Sequence, residues 1–453
     1  MSTPSLGREL VRLLLRRQRE GLPPSILAKA RLHIADAVGM GLAAHGTPLA
    51  AQVLEAMAAG VDGGACRVLG TARRMPPAQA AFANAALMHI LDFDDIHDRA
   101  RLHPTTVTLA AALATASMCD ASGQRVVEAV ALGDELMCRL GVMVSPSGEG
   151  PGSDWFLTQL FGYLGAALAA GIVRGDGEDA IVASLGLAYM QAAGGKQAGF
   201  GTGSTARAIY PAFAAMGGVQ AGLICAAGID GPELSLDGAA GLFRIYLGSA
   251  PTAAQRALLL DPDAWHFEQV EIKPWPSCRL SHPYVAAALA LRERMADAGL
   301  ALDRAGRIEV GVNASAARLC RPIDDRRRPA TLQDAKYSIP WMVAFTLSRG
   351  TVDLATLNDR ALAARDIHAL ADRVEIVENL PDNPGHPPAE IRMRVDGRVL
   401  QSPPAHSFGA SPEQARRKFD GCLAEAGRAA EAPVLWQRLL TLDAEAGVDF
   451  VYA

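Results

Sequence analysis

Three stretches of this sequence gather groups able to move protons or hold anions. The first is LDFDDIHDRARLHPTT, residues 91–106, which packs Asp92, Asp94, Asp95, His97, Asp98, Arg99, Arg101 and His103 between two apolar runs. Polar groups so placed must be paired or solvated. Pro104 opens the next helix, which leaves His103 at a helix N-terminus, where anions are favoured. An imidazole titrates near neutral pH, so His103 is the natural general base or acid. The plainer alternative is a solvated loop between helices. Asp and His are also metal ligands, but their spacing here fits no standard site.

The second stretch, GGKQAGFGTGSTARAIYPAFAAMGG (194–218), is rich in glycine, which allows irregular backbone near a ligand. It lacks the Gly-Lys-Ser/Thr ending of a phosphate-binding loop and follows no strand, so it fits neither nucleotide fingerprint. Arg207 and Tyr210, three apart, are expected on one face of a starting helix. Arg207 can hold a carboxylate bidentately. A flexible surface loop is the alternative. The third stretch, IKPWPSCRLSHP (272–283), brings Lys273, Cys278, Arg279 and His282 within ten residues. It lies where the chain changes character, and small-molecule sites favour such boundaries. Cys278 beside Arg279 is either a thiol of lowered pKa or a small packed residue. The others are anion-binding groups or a surface patch of charge.

The elements that position these groups follow from periodicity. Leu27, Ala30, Ile34, Val38 and Leu42 recur at helical spacing after Pro23-Pro24-Ser25, which predicts a helix over 26–44. Segments 77–91, 104–119, 125–142, 157–173, 178–193 and 211–229 read the same way, and the first twenty residues form an amphipathic helix. Small residues throughout let these helices pack closely, so 1–268 reads as an all-helical domain. From 269 the pattern alternates: QVEIK (269–273), RIEVGV (307–312), VEIVENL (374–380) and EIRMRVDGRVLQS (390–402) read as strands. Asp396-Gly397 is a two-residue hairpin signal. Helices at 283–298 and 331–349 lie between them, and PDNPGHPP (381–388) is a loop. Residues 269–404 therefore read as a smaller α+β domain. Residues 405–453, with helices at 411–425 and 432–446, rejoin the helical body. The fold class is mainly α, with an α+β lid.

At 453 residues the chain is long enough for two or three domains and a water-shielded site. A net charge of −5 argues against a nucleic-acid partner. The seven cysteines are dispersed, with no CxxC pair, which fits a reducing, cytoplasmic setting and argues against zinc or iron–sulfur. The N-terminus has no signal-peptide core, and no uncharged apolar run reaches membrane-spanning length. No membrane association is expected.

The three stretches, in this order, resemble the MmgE/PrpD family, which includes 2-methylcitrate dehydratase, cis-aconitate decarboxylase and iminodisuccinate epimerase. HIADAVGMGLAAHG resembles the family's opening helix. AFANAALMHILDFDD followed by HPTT resembles its A-N-H-x-x-D-F-D-D…H-P-S/T segment. GVQAGLICAAGIDGPELSLDGAAGLF resembles its Gly-Pro turn. IKPWPSCRLSH resembles K-x-Y/F-P-x-C/H…H, and AKYSIPWMVAFTLSRG resembles A-K/R-x-S-x-x-Y…G. The likeness covers nearly the whole chain.

The resemblance implies a helical domain capped by an α+β lid, a cleft between them, a homodimer, a small carboxylic-acid substrate, and no metal or organic cofactor. Asp92, the first carboxylate of DFDD, corresponds to an active-site aspartate, His103 to the active-site histidine and Lys273 to the lysine of the lid motif. Cys278 stands where cis-aconitate decarboxylases carry histidine, which counts against decarboxylation. Arg207, Tyr210 and Ala212 stand where the family usually shows Lys-x-x-His before a glycine. Ile96 replaces the usual Thr or Ser, and one residue is inserted before His-Pro. An arginine can hold a carboxylate but hardly serves as a base.

The expectation is a lyase of the dehydratase type that removes a proton beside a carboxylate. His103 would transfer the proton and Asp92 would orient it. Lys273, Arg207 and Arg279 would anchor carboxylates, and Tyr210 would donate a proton or hydrogen bond. His282 and Tyr337 are further candidates. An epimerase or decarboxylase of the same family, or a non-catalytic carboxylate binder, are the alternatives.

Overall fold

The computed structural model describes residues 4–61, 63–144, 152–199, 204–381, 388–406 and 408–452. The chain is mainly helical with a smaller α+β part, as the periodicity predicts. Its contacts divide it into two units, Met1–Ile272 with Pro412–Ala453, and Lys273–Ser411. The sequence placed these divisions at 268/269 and 404/405. The 269–273 run shrinks to a two-residue strand, Val270–Glu271, which pairs antiparallel with Ile96–His97 of the helical unit.

In the helical unit, Leu157–Arg174 runs through the core against Gly123–Val142, Thr105–Cys119 and Tyr210–Ala226. It is long and apolar enough to cross a bilayer, yet 94% of it is buried inside the protein. The helices approach closely because small residues face each other. A Cβ at Gly218 would stand 2.4 Å from Ala166 Cβ. Ser5 and Ser122 cap the helices Leu6–Glu20 and Gly123–Val142 by accepting from the N–H groups of Arg8 and Arg125. Ser25 caps nothing: Pro24–Ala43 starts on Pro24, and proline is tolerated in a first turn.

The second unit holds a four-stranded sheet in the order Val374–Glu378, Ala305–Val312, Glu390–Val395, Arg398–Gln401. The first pair is parallel and the others antiparallel. Asp396 (φ 48°) and Gly397 (φ 75°) both take positive φ, which matches the twist of a tight hairpin. Ile308, Val310, Ile391 and Met393 pack into one apolar core with Leu291, Trp341 and Phe345. The helix expected over 331–349 is two, Leu332–Lys336 and Ile339–Arg349, because Ser338 leaves helical geometry to cap the second. The proline-rich 381–388 lies mostly outside the described residues.

Candidate active site

The acidic part of the loop, 92–97, is buried rather than solvated, while Asp98 is half-buried and Arg99 exposed. Asp92 is 3% exposed, Asp94 1%, Asp95 2% and His97 1%. The loop leaves the helix Pro77–His89 through Asp92, whose φ of 53° is left-handed and whose N–H donates to His89 O at 2.8 Å. It then folds on itself. His97 N–H donates to Leu102 O (3.0 Å), and Ala100 N–H donates to His97 Nδ1 (3.1 Å). A Cβ at Gly141 would stand 2.6 Å from Ala100 Cβ, so the glycine lets this turn seat on the helix Gly123–Val142.

His103 sits just before the helix Thr105–Cys119, with its side chain 14% exposed. Its Nδ1 donates to the backbone oxygen of Asp95 at 2.6 Å. A carbonyl only accepts, so this bond fixes the proton on Nδ1 and makes Nε2 the lone-pair nitrogen of the neutral ring. Asp94 Oδ1 lies 3.7 Å from the same Nδ1, close enough to favour the charged ring. Asp94 Oδ2 also accepts from Thr106 Oγ1 (3.1 Å) and lies 2.7 Å from His89 Nδ1. One carboxylate therefore clamps two imidazoles, whose rings meet edge to face at 5.5 Å. Asp94, to which the sequence assigns no role, is a carboxylate within ion-pairing reach of His103.

Beneath this layer, Thr105 Oγ1 lies 2.7 Å from Asp134 Oδ2 and also bonds Asp95 Oδ2. A hydroxyl has one proton to give, so one carboxyl supplies the second. Burial holds the Asp134 carboxyl well above the usual carboxylate range, reinforced by the charge of Asp95, so Asp134 carries that proton. His33 Nδ1 lies 2.7 Å from Asp95 Oδ2. From the helix Pro412–Glu425, Lys418 Nζ reaches Asp36 Oδ2 (2.8 Å) and Phe93 O (2.6 Å) and so pins the loop from below. Burial raises the Asp36 carboxyl to about 6 against the pull of Lys418.

Arg207 and Tyr210 flank the same layer, though not as one helix face. Arg207 lies in the short 3-10 turn Thr205–Ala208, and Tyr210 starts the helix Tyr210–Ala226. Arg207 Nη1 donates to Gly199 O at 3.1 Å. The Tyr210 hydroxyl donates to Thr158 Oγ1 (3.3 Å), which also accepts the His103 N–H (2.9 Å). Burial pushes the Tyr210 phenol up, reinforced by Asp94 and Asp92 and opposed by Thr158 and Arg207. Tyr210 therefore remains a neutral hydrogen-bond donor at ordinary pH. Its ring stacks on Phe156 (centroids 4.2 Å, 19°) and meets His89 edge-on at 5.0 Å.

Asp92, His103, Arg207 and Tyr210 are thus neighbours within the helical unit. Asp94, His89, Thr158 and Phe156 complete that neighbourhood and were not singled out from sequence. The first belongs to the DFDD run already noted. His89 is the histidine of the H-x-x-D-F-D-D run, though the sequence assigns it no role, and Thr158 and Phe156 sit at an apolar helix start that gives no chemical signal.

The remaining candidates lie in the second unit. Lys273 (1% exposed), Arg279 (4%) and His282 (0%) are buried there, and Cys278 and Tyr337 are half-buried. Cys278 N–H donates to Lys336 O at 3.1 Å, which sets it beside the turn carrying Tyr337. Arg279 Nη1 donates to Phe408 O (2.9 Å), and His282 Nε2 lies 3.3 Å from Ser277 O. Trp275 meets His282 edge-on at 5.3 Å. The reading of these residues as a surface patch does not survive their burial.

Residues 8–255 match the model of the MmgE/PrpD N-terminal domain, and residues 275–437 match that of the MmgE/PrpD C-terminal domain. A cis-aconitate decarboxylase of Aspergillus terreus is 26% identical over 285 residues, covering 61% of this chain and 58% of that protein. A cis-aconitate decarboxylase-like protein of Aspergillus oryzae is 25% identical over 411 residues, covering 85% and 83%. A cis-aconitate decarboxylase of Mus musculus is 25% identical over 376 residues, covering 80% and 73%. The match therefore spans less than two thirds of the Aspergillus terreus protein.

Proposed function

Since the chain belongs to the MmgE/PrpD family, we propose that it is a lyase acting on a small di- or tricarboxylic acid, of the dehydratase type. The observation that carries this reading is the placement of His103. Its Nδ1 proton is fixed by Asp95 O, Asp94 stands by to stabilise the charged ring, and Arg207 is a neighbouring permanent cation. Nε2 of the neutral ring takes a proton from the carbon beside a substrate carboxylate. The C–H electron pair becomes a carbon–carbon double bond as hydroxide leaves the adjacent carbon. The leaving hydroxyl takes the proton that the His103 imidazolium has just gained, so it departs as water and the ring returns to neutral. Arg207 holds a carboxylate and offsets the charge that develops on it. All of this is acid–base chemistry of side chains, without a metal or organic cofactor.

A second reading, decarboxylation, is favoured by the activity named for the relatives. The bond broken is then carbon–carbon, and the acid protonates carbon instead of oxygen. The purified chain incubated with 2-methylcitrate, citrate, cis-aconitate and iminodisuccinate, followed by proton NMR and carbon dioxide detection, separates the two. Water loss without carbon dioxide supports the dehydratase, and carbon dioxide release supports the alternative. Turnover of none of the four counts against both. His103→Ala is expected to lower the rate by roughly 10²–10⁴-fold, typical for a lost acid–base group.

A further inference from the structure

One wall of the neighbourhood around His103 is aromatic, and proton transfer has no need of it. Phe156 precedes the helix Leu157–Arg174, and its N–H donates to Gly194 O at 2.7 Å, which fixes the backbone. Its ring lies nearly parallel to Tyr210 at 4.2 Å, and Tyr210 in turn touches the His89–His103 pair through His89. The Tyr210 hydroxyl is turned onto Thr158, so the slab presents carbon and not oxygen. Both residues are mostly buried, Phe156 8% and Tyr210 9% exposed, so the slab is held rigidly in place. The Arg207 guanidinium lies 6.0 Å from the centre of the Phe156 ring. A fixed cation thus stands over an apolar plate, a combination that holds a carboxylate while packing hydrocarbon beneath it.

We propose that the substrate is a carboxylic acid whose carbon skeleton bears an alkyl or aryl substituent packed against Phe156 and Tyr210, and that Phe156 determines the preference for it. This rests on the reading of the His103 neighbourhood as the substrate site. An acid with carboxylates on every branch would set a charge against the ring faces, where desolvation is not compensated.

The test is calorimetric binding of succinate, 2-methylsuccinate and 2-benzylsuccinate, none of which needs to react, to the intact protein. The proposal expects 2-benzylsuccinate to bind at least roughly tenfold more tightly than succinate, with 2-methylsuccinate between, as apolar burial dictates. Phe156→Ala abolishes that ranking. Phe156→Leu, which keeps most of the volume, retains part of the ranking and serves if the alanine variant fails to fold. Arg207→Gln weakens all three acids. Equal affinities in the unaltered protein, no binding of any of the three, or a ranking that survives Phe156→Ala and Phe156→Leu unchanged overturns the proposal. Ranked binding without turnover of any acid contradicts the lyase reading and leaves this one standing. Turnover without the ranking does the reverse.

Discussion

Two sets of buried or half-buried imidazoles share the helical unit. His33, His89 and His103 each lie near a carboxylate, Asp95 at 2.7 Å, Asp94 at 2.7 Å and Asp94 at 3.7 Å. Among the described residues His97 and His266 have no ion-paired carboxylate: Nε2 of His97 and both ring nitrogens of His266 find no hydrogen bond there. Burial dominates their charge and, reinforced by neighbouring positive groups such as Arg99, lowers both to about 4. Even His33 is pushed down, because burial outweighs Asp95. The difference teaches where proton chemistry can occur. An imidazole that must gain and lose a proton needs a carboxylate and some exposure, and His103 has both, whereas His97 and His266 are neutral packing groups whose missing partners are tolerable only while they stay neutral.

Removing the carboxylate should break the paired set most severely. Asp94→Ala takes the acceptor from His89 and Thr106 and the counter-charge from His103. Stability should fall by about 3–5 kcal/mol in urea titration, the usual consequence of orphaning a buried charged partner. Thr158→Val comes next. It strips the shared acceptor from the His103 N–H and the Tyr210 hydroxyl, for a loss of about 1–3 kcal/mol by the same titration.

The unpaired set should behave oppositely. His266→Leu removes two unsatisfied nitrogens, so stability at pH 7 should stay within about 1 kcal/mol of the parent. The sign of its pH effect follows from the lowered folded-state value. The unfolded chain binds the proton first, so the contribution of His266 is present above about 6.5 and is lost as pH falls toward about 4. Thermal melting of the unaltered protein should therefore drop over that window, and His266→Leu should flatten the drop. A slope equal to that of the parent would place the acid sensitivity elsewhere.

Much of the fold was legible because its signals are local. Helical spacing marks Pro24–Ala43 and Leu157–Arg174, and Asp396-Gly397 marks the hairpin. The sequence missed what distant partners decide. The strand at 270 is two residues long because its mate, Ile96–His97, is no longer than that. The break at Ser338 rests on one side-chain cap. His103, Asp92, Arg207 and Tyr210 stand out by residue type. That Asp94 lies beside both His103 and His89 does not, because the carboxylates of the DFDD run look alike in sequence. Phe156 and Thr158 look like ordinary residues at an apolar helix start, and only their bonds to Gly194 and Tyr210 reveal their setting.

Proton NMR in deuterated water measures the central claim most directly. An acid that the protein turns over would be followed for exchange of the hydrogen on the carbon beside its carboxylate, with the unaltered protein and His103→Ala compared at equal saturation. The account predicts exchange in the unaltered protein and at least about a hundredfold less in the variant. Equal exchange rates in the two would contradict the assignment of His103 as the group that takes the proton.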